Sequence, residues 1–81
     1  MSLATLRDDL AKSGCNQADQ VITLIEACLE SGETSGTEIV TLVTDLGFNR
    51  RFVGILLRRN AGANRGRYRW YKADDGGYRL H

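Results

Sequence analysis

Eight cations, Arg50, Arg51, Arg58, Arg59, Arg65, Arg67, Arg69 and Lys72, fall within the 27 residues from Gly47 to Ala73, and no carboxylate interrupts them. An ordinary soluble surface mixes the two signs, so such a run favours a polyanion or an acidic surface as its partner. Arginine brings more than charge. Its planar fork bonds two phosphate oxygens at once, or the O6 and N7 of guanine. The rest of the chain sharpens the contrast. Residues 1–46 hold two bases against eight acids, a net charge of −6, while residues 47–81 hold nine bases against two acids, a net charge of +7, although the whole chain stands at +1.

Other chemistries find little material. His81 is the only histidine, so neither a histidine-based catalytic triad nor a multi-histidine metal site can be assembled. Cys15 and Cys28 are too few for a disulfide framework or a four-thiolate zinc site, and a reducing compartment keeps them as thiols. Cys28 reads as core. Asp8, Asp9, Asp74 and Asp75 lie in termini or turns, where a solvated charge is the simplest account. The expectation is a protein without catalytic residues, metal or cofactor. No window approaches the run of about 18 apolar residues that a membrane span needs, and the N-terminus lacks the pattern of a secretory signal. A cytoplasmic location without a membrane partner is expected.

At 81 residues the chain has room for one core. The elements that must position the cations are punctuated by glycine, since proline is absent. Leu3, Leu6 and Leu10 give residues 1–13 one leucine edge, as a short helix or extension that docks on the domain or pairs with a copy of itself. Asn16 caps a second helix. There Ala18, Val21, Ile22, Ile25, Cys28 and Leu29 share a buried face flanked by Leu24, and Gly32 ends it. Ser35 and Glu38 match a reciprocal capping box at the start of a helix whose core stripe is Ile39, Leu42, Val43 and Leu46. Gly47 stops that helix and Asn49 caps the next after a very tight turn. This last helix, roughly residues 50–61, buries Val53, Leu56 and Leu57 with Phe52 at the margin.

From Arg67 the period changes to two, turns through Asp74, Asp75 and Gly76, and returns over residues 78–81, which predicts a hairpin. A three-residue loop sets Trp70 opposite Leu80 and Lys72 opposite Tyr78, with Tyr68, Trp70, Tyr78 and Leu80 on one face. A two-residue turn splits them and forfeits burial of about 1.5 to 3 kcal/mol per large apolar side chain, so the longer loop is expected. Arg67, Arg69, Tyr71 and Arg79 then project from the opposite face.

Helix, capped helix, tight turn, helix and closing hairpin is the element order of the winged helix-turn-helix superfamily, which residues 14–81 resemble most closely in the capping, core and turn positions of 35–60 and in Tyr78, Arg79 and Leu80. The fold expected is therefore α+β and mainly helical, a three-helix core with a C-terminal β-hairpin wing and a short extra N-terminal helix. The resemblance implies that the helix from Arg50 reads the major groove of double-stranded DNA and that the wing touches neighbouring phosphates.

The residue chemistry agrees. Successive residues step about 100° around a helix, which places Arg51, Gly54, Ile55 and Arg58 on the outward face with Arg50 and Arg59 beside them. Arginine suits guanine and Ile55 suits a thymine methyl. Mid-helix glycine costs about 0.5 to 1 kcal/mol against alanine, so Gly54 needs a reason, either close approach of a ligand or close packing on the preceding helix. Asn49 opens the same helix. Thr37, with Thr41 and Thr44, can bond phosphates, and Arg65, Arg67, Arg69, Tyr71, Lys72 and Arg79 form the phosphate set of the wing and its connector. The tip itself carries Asp74 and Asp75. The leading reading is a small DNA-binding protein, a transcriptional regulator or a plasmid or phage accessory factor, with a homodimer open through the leucine edge. The alternative is a winged-helix adaptor that binds an acidic protein and no nucleic acid.

Overall fold

The computed structural model describes residues 2–64 and 66–81, which form four helices followed by an antiparallel two-stranded hairpin, a mainly helical α+β arrangement. The elements are α1 (Leu3–Lys12), α2 (Gln17–Glu30), α3 (Gly36–Thr44), α4 (Arg50–Arg59), β1 (Trp70–Lys72) and β2 (Tyr78–Leu80). Each helix starts where a side-chain oxygen accepts an amide that the first turn leaves unused: Ser2 from Thr5, Asn16 from Asp19, Ser35 from Glu38 and Asn49 from Phe52. The capping box at α3 is made only in part. The Ser35 amide donates to Glu33 Oε1 at 3.3 Å instead of to Glu38, because Glu33 stands in the loop just before the helix and reaches it first.

Between α3 and α4 the chain reverses through Gly47, whose φ of +107° lies in the left-handed region open to glycine at no steric cost. The reversal lays both helices against α2. Val21, Leu24, Ile25 and Cys28 of α2 form the centre of the core, with Ile39 and Val43 of α3, Val53 and Leu57 of α4, and Trp70 and Tyr78 of the hairpin closing over them. Leu24 is fully buried rather than flanking, and Leu42 is 37% exposed rather than part of the stripe. The contact of α3 runs through Ile39 and Val43, four residues apart on one ridge, so Val40 turns partly inward while Leu42, one step around from Val43, faces out. Leu46 and Leu56 are only partly buried at the rim. Burial pushes the Cys28 thiol up from its ordinary value, and the nearby Glu33 carboxylate adds to it, so the thiol stays protonated.

The leucine edge of α1 is used within its own chain: Leu3, Leu6 and Leu10 pack on the core cluster, and Arg7 Nη1 donates to the Leu46 carbonyl at 2.7 Å. That bond satisfies an acceptor in the turn after α3. Thr44 shows the reverse, since its hydroxyl is buried without a partner among the described residues. Thr44→Val keeps the branched shape and removes the orphan group, so it is expected to raise stability by about 1 kcal/mol, read as a melting temperature higher by about 4 to 8 °C. An unchanged or lower melting temperature would show that the hydroxyl is satisfied in solution.

The hairpin has the register expected from burial, with Trp70 opposite Leu80, Tyr71 opposite Arg79 and Lys72 opposite Tyr78. Its first strand is shorter than the alternation suggested. Arg67 lies in a turn, where the Asn64 carbonyl accepts the amides of both Arg67 and Tyr68 at 3.1 and 2.9 Å. Both outer edges of the hairpin are bonded. Gly62 N–H donates to the Trp70 carbonyl at 3.0 Å, and Tyr78 N–H donates to the Thr34 carbonyl, in the loop before α3, at 2.7 Å. The Trp70 indole N–H reaches the Leu57 carbonyl in the last turn of α4 at 2.9 Å, satisfying an acceptor that the helix end cannot pair itself. The hairpin is thus fastened to α3 by one strand and to α4 by the other. Among the described residues no helix is long and apolar enough to cross a membrane.

Candidate nucleic-acid interface

These attachments create an open groove between α3, α4 and the hairpin. Arg50, Arg51, Gly54 and Arg58 of α4 form one wall, Thr37 and Val40 of α3 another, and Lys72, Gly77 and Tyr78 of the hairpin the third. Close contact at Gly36 brings the third wall in, since a Cβ there would lie 2.9 Å from Cε2 of Tyr78. Only glycine lets that ring seat against the first turn of α3.

Six of the residues that the sequence singled out therefore share one concavity: Arg50, Arg51, Gly54, Arg58, Thr37 and Lys72. Among the described residues the ion pairs are Arg7 with Asp8, Arg69 with Glu26 and Arg79 with Asp75, so none of the four groove cations is neutralised. Arg50 is held in place. Its Nη2 lies 3.3 Å from the Thr41 hydroxyl, which draws the guanidinium back toward α3. Arg51, Arg58 and Arg59 are exposed.

Gly54 now has one explanation fewer. A Cβ built there meets no heavy atom within 4 Å, so packing on α3 does not require glycine at this position. The residue lies on the groove wall between Arg51 and Arg58.

The other expected contacts are dispersed. Arg69 pairs with Glu26 of α2, and Arg67 lies on the same side, its guanidinium carbon 5.6 Å from the centre of the Tyr68 ring. Both belong to a surface shared with Glu30, away from the groove residues. The shortened strand explains this: Arg67 and Arg69 precede the paired segment and follow the turn at Asn64 toward α2. Arg79 folds along the hairpin to Asp75, 3.0 Å away, and Asp75 also accepts the Gly77 amide at 2.9 Å. The Gly77 amide first, and Arg79 second, hold the Asp75 carboxyl below its ordinary value.

Tyr71 is half-buried, its ring 5.0 Å from that of His81, and it lines a separate cleft with Ala61 and Gly62. The Asn49 amide oxygen is occupied by the helix cap. Ile55 is half-buried and, like Arg59, does not line the groove. The Thr44 hydroxyl is buried although the residue is only half-buried, so it is not presented to a phosphate, and Arg65 lies outside the described residues. Two residues take their place at the site only through contacts between distant segments. Thr41 matters because α4 crosses it with Arg50, and Asp75 reaches the groove lining because the hairpin folds back onto α3. No protein family, curated protein or solved structure matches the chain.

Proposed function

We propose that the protein is a winged helix-turn-helix module that binds double-stranded DNA, with α4 in the major groove and the hairpin as its wing. The observation that carries this reading is the convergence of Arg50, Arg51, Arg58 and Lys72, all without carboxylate partners among the described residues, in one open groove. Four unpaired cations within one concavity raise the local concentration of a polyanion. A helix fits the major groove, and arginine is the side chain best matched to guanine and phosphate there. A role as transcriptional regulator or as plasmid or phage accessory factor accords with a module of this size and chemistry.

The dispersal of the wing arginines changes the electrostatic expectation. Phosphate contacts from all five cations of the wing and its connector, Arg65, Arg67, Arg69, Lys72 and Arg79, would make log affinity fall against log salt with a slope of about −4.5; the groove cations alone give between about −1.8 and −3.6, at −0.9 per phosphate. The lower magnitude applies when only Arg50 and Lys72 meet phosphates, the higher when Arg51 and Arg58 do so as well. Titration of a mixed-sequence duplex at several ionic strengths measures the slope, and an affinity independent of salt would remove the proposal.

Gly54→Ala supplies a second test, because fold and binding should move in opposite directions. Replacing a mid-helix glycine whose Cβ position is empty is expected to stabilise α4 by about 0.5 to 1 kcal/mol. The added methyl stands on the groove wall and should weaken duplex binding. Thermal melting and titration of the same variant check both arms, and undiminished affinity would place the duplex elsewhere.

The internal pairing of Arg69 and Arg79 and the acidic tip at Asp74 and Asp75 favour a second reading, an adaptor that docks an acidic protein in the same groove. Backbone chemical shifts on adding a short duplex separate the two. DNA binding perturbs residues 49–59 and Lys72, whereas the adaptor leaves them unmoved.

A further inference from the structure

We infer that Arg51 and Arg58 act as a pair that recognises two guanines about two base-pair steps apart, with Gly54 as the saddle between them; this deepens, and rests on, the DNA-binding reading. Arg51 and Arg58 are seven residues apart, two turns of helix, and project on one face with Gly54 between them at i+3 and i+7. Their Cα atoms are separated along the axis by about 10.5 Å, at 1.5 Å per residue. A helix seated in the major groove is inclined to the DNA axis, so contacts three residues apart on it meet successive base pairs, and contacts seven residues apart fall about two steps apart. A helix so inclined thus brings each guanidinium level with its own base pair.

The surroundings select these two cations from the rest. Arg50 is drawn to Thr41, and Arg59 stands off the groove. Lys72 projects from the opposite wall, where a single ammonium suits a phosphate better than a bidentate base edge. Asp75 does not compete, because its oxygens are taken by Arg79 and the Gly77 amide. Both Arg51 and Arg58 are exposed and without carboxylate partners among the described residues, so their forks are free to meet O6 and N7. The missing Cβ at Gly54 lets the backbone between them approach the base edges, which long side chains at both ends require if both are to reach.

The test is a competition assay with short duplexes that carry two G·C pairs in an A·T background, separated by two, three, four or five steps and placed on the same or on opposite strands. Two-step duplexes are expected to bind about tenfold or more tightly per guanine than the all-A·T duplex, at 1.4 kcal/mol per factor of ten. Arg51→Ala should abolish dependence on one guanine of the pair and Arg58→Ala on the other, with circular dichroism confirming that both variants fold. A preference for another spacing, or equal binding of all duplexes, overturns this inference while leaving DNA binding in place. Failure of every duplex to bind at low salt overturns both.

Discussion

Trp70→Ala is expected to cost about 3 to 5 kcal/mol, a large share of the total of about 4 to 12 kcal/mol that 0.05 to 0.15 kcal/mol per residue gives a chain of this length, and all of it at the low end of that range. Trp70 is fully buried, and its indole joins the hairpin to the end of α4 through the Leu57 carbonyl. Truncation leaves a large cavity and an unpaired acceptor together. Trp70→Phe should cost less, because the ring volume is mostly kept and only the hydrogen bond is lost. Urea denaturation followed by circular dichroism is the right measurement, since Trp70 is the sole tryptophan and its removal silences indole fluorescence. A loss below about 1 kcal/mol for the alanine variant would mean that the hairpin is not part of the cooperative core.

Replacing Arg51 and Arg58 together with alanine is expected to weaken duplex binding by about 2 to 6 kcal/mol, from 1 to 3 kcal/mol for each bidentate contact. The two sites share one ligand, so their effects need not add. Stability should change little. Arg58 stands in the last turn of α4, where a cation offsets the helix dipole by about 0.3 to 1 kcal/mol. Arg69→Ala is the informative control. It removes the same charge, but from a side chain paired with Glu26 outside the groove. Its expected effect on affinity is a small loss through long-range attraction alone. Equal losses from Arg69→Ala and from the double variant would show that binding follows net charge, without a defined groove.

The helix starts at Asn16, Ser35 and Asn49 were legible because a cap is a local event, involving one side chain and an amide three residues on. The hairpin register was legible as well. Only the three-residue loop keeps Trp70 and Tyr78 on one buried face, and burial outweighs turn preference. Leu42 escaped for a related reason. An amphipathic stripe broader than the contact area leaves one residue at its margin, and the crossing of α3 over α2 decides which.

Composition and spacing alone determined that this chain divides into an acidic front and a basic back, that four helices and a hairpin follow in order, and that one helix carries arginines around a glycine. Those properties depend on residues close in sequence, and short-range physics suffices to read them. Which cations share one groove was decided by contacts between distant segments. The Asn64 turn carries Arg67 and Arg69 to Glu26 on α2, while the bond from Tyr78 to Thr34 and the seat at Gly36 bring Lys72 across to Arg51 and Arg58. A charge is long-ranged but has no direction, so its sequence position says that it is present; the backbone path fixes what it faces.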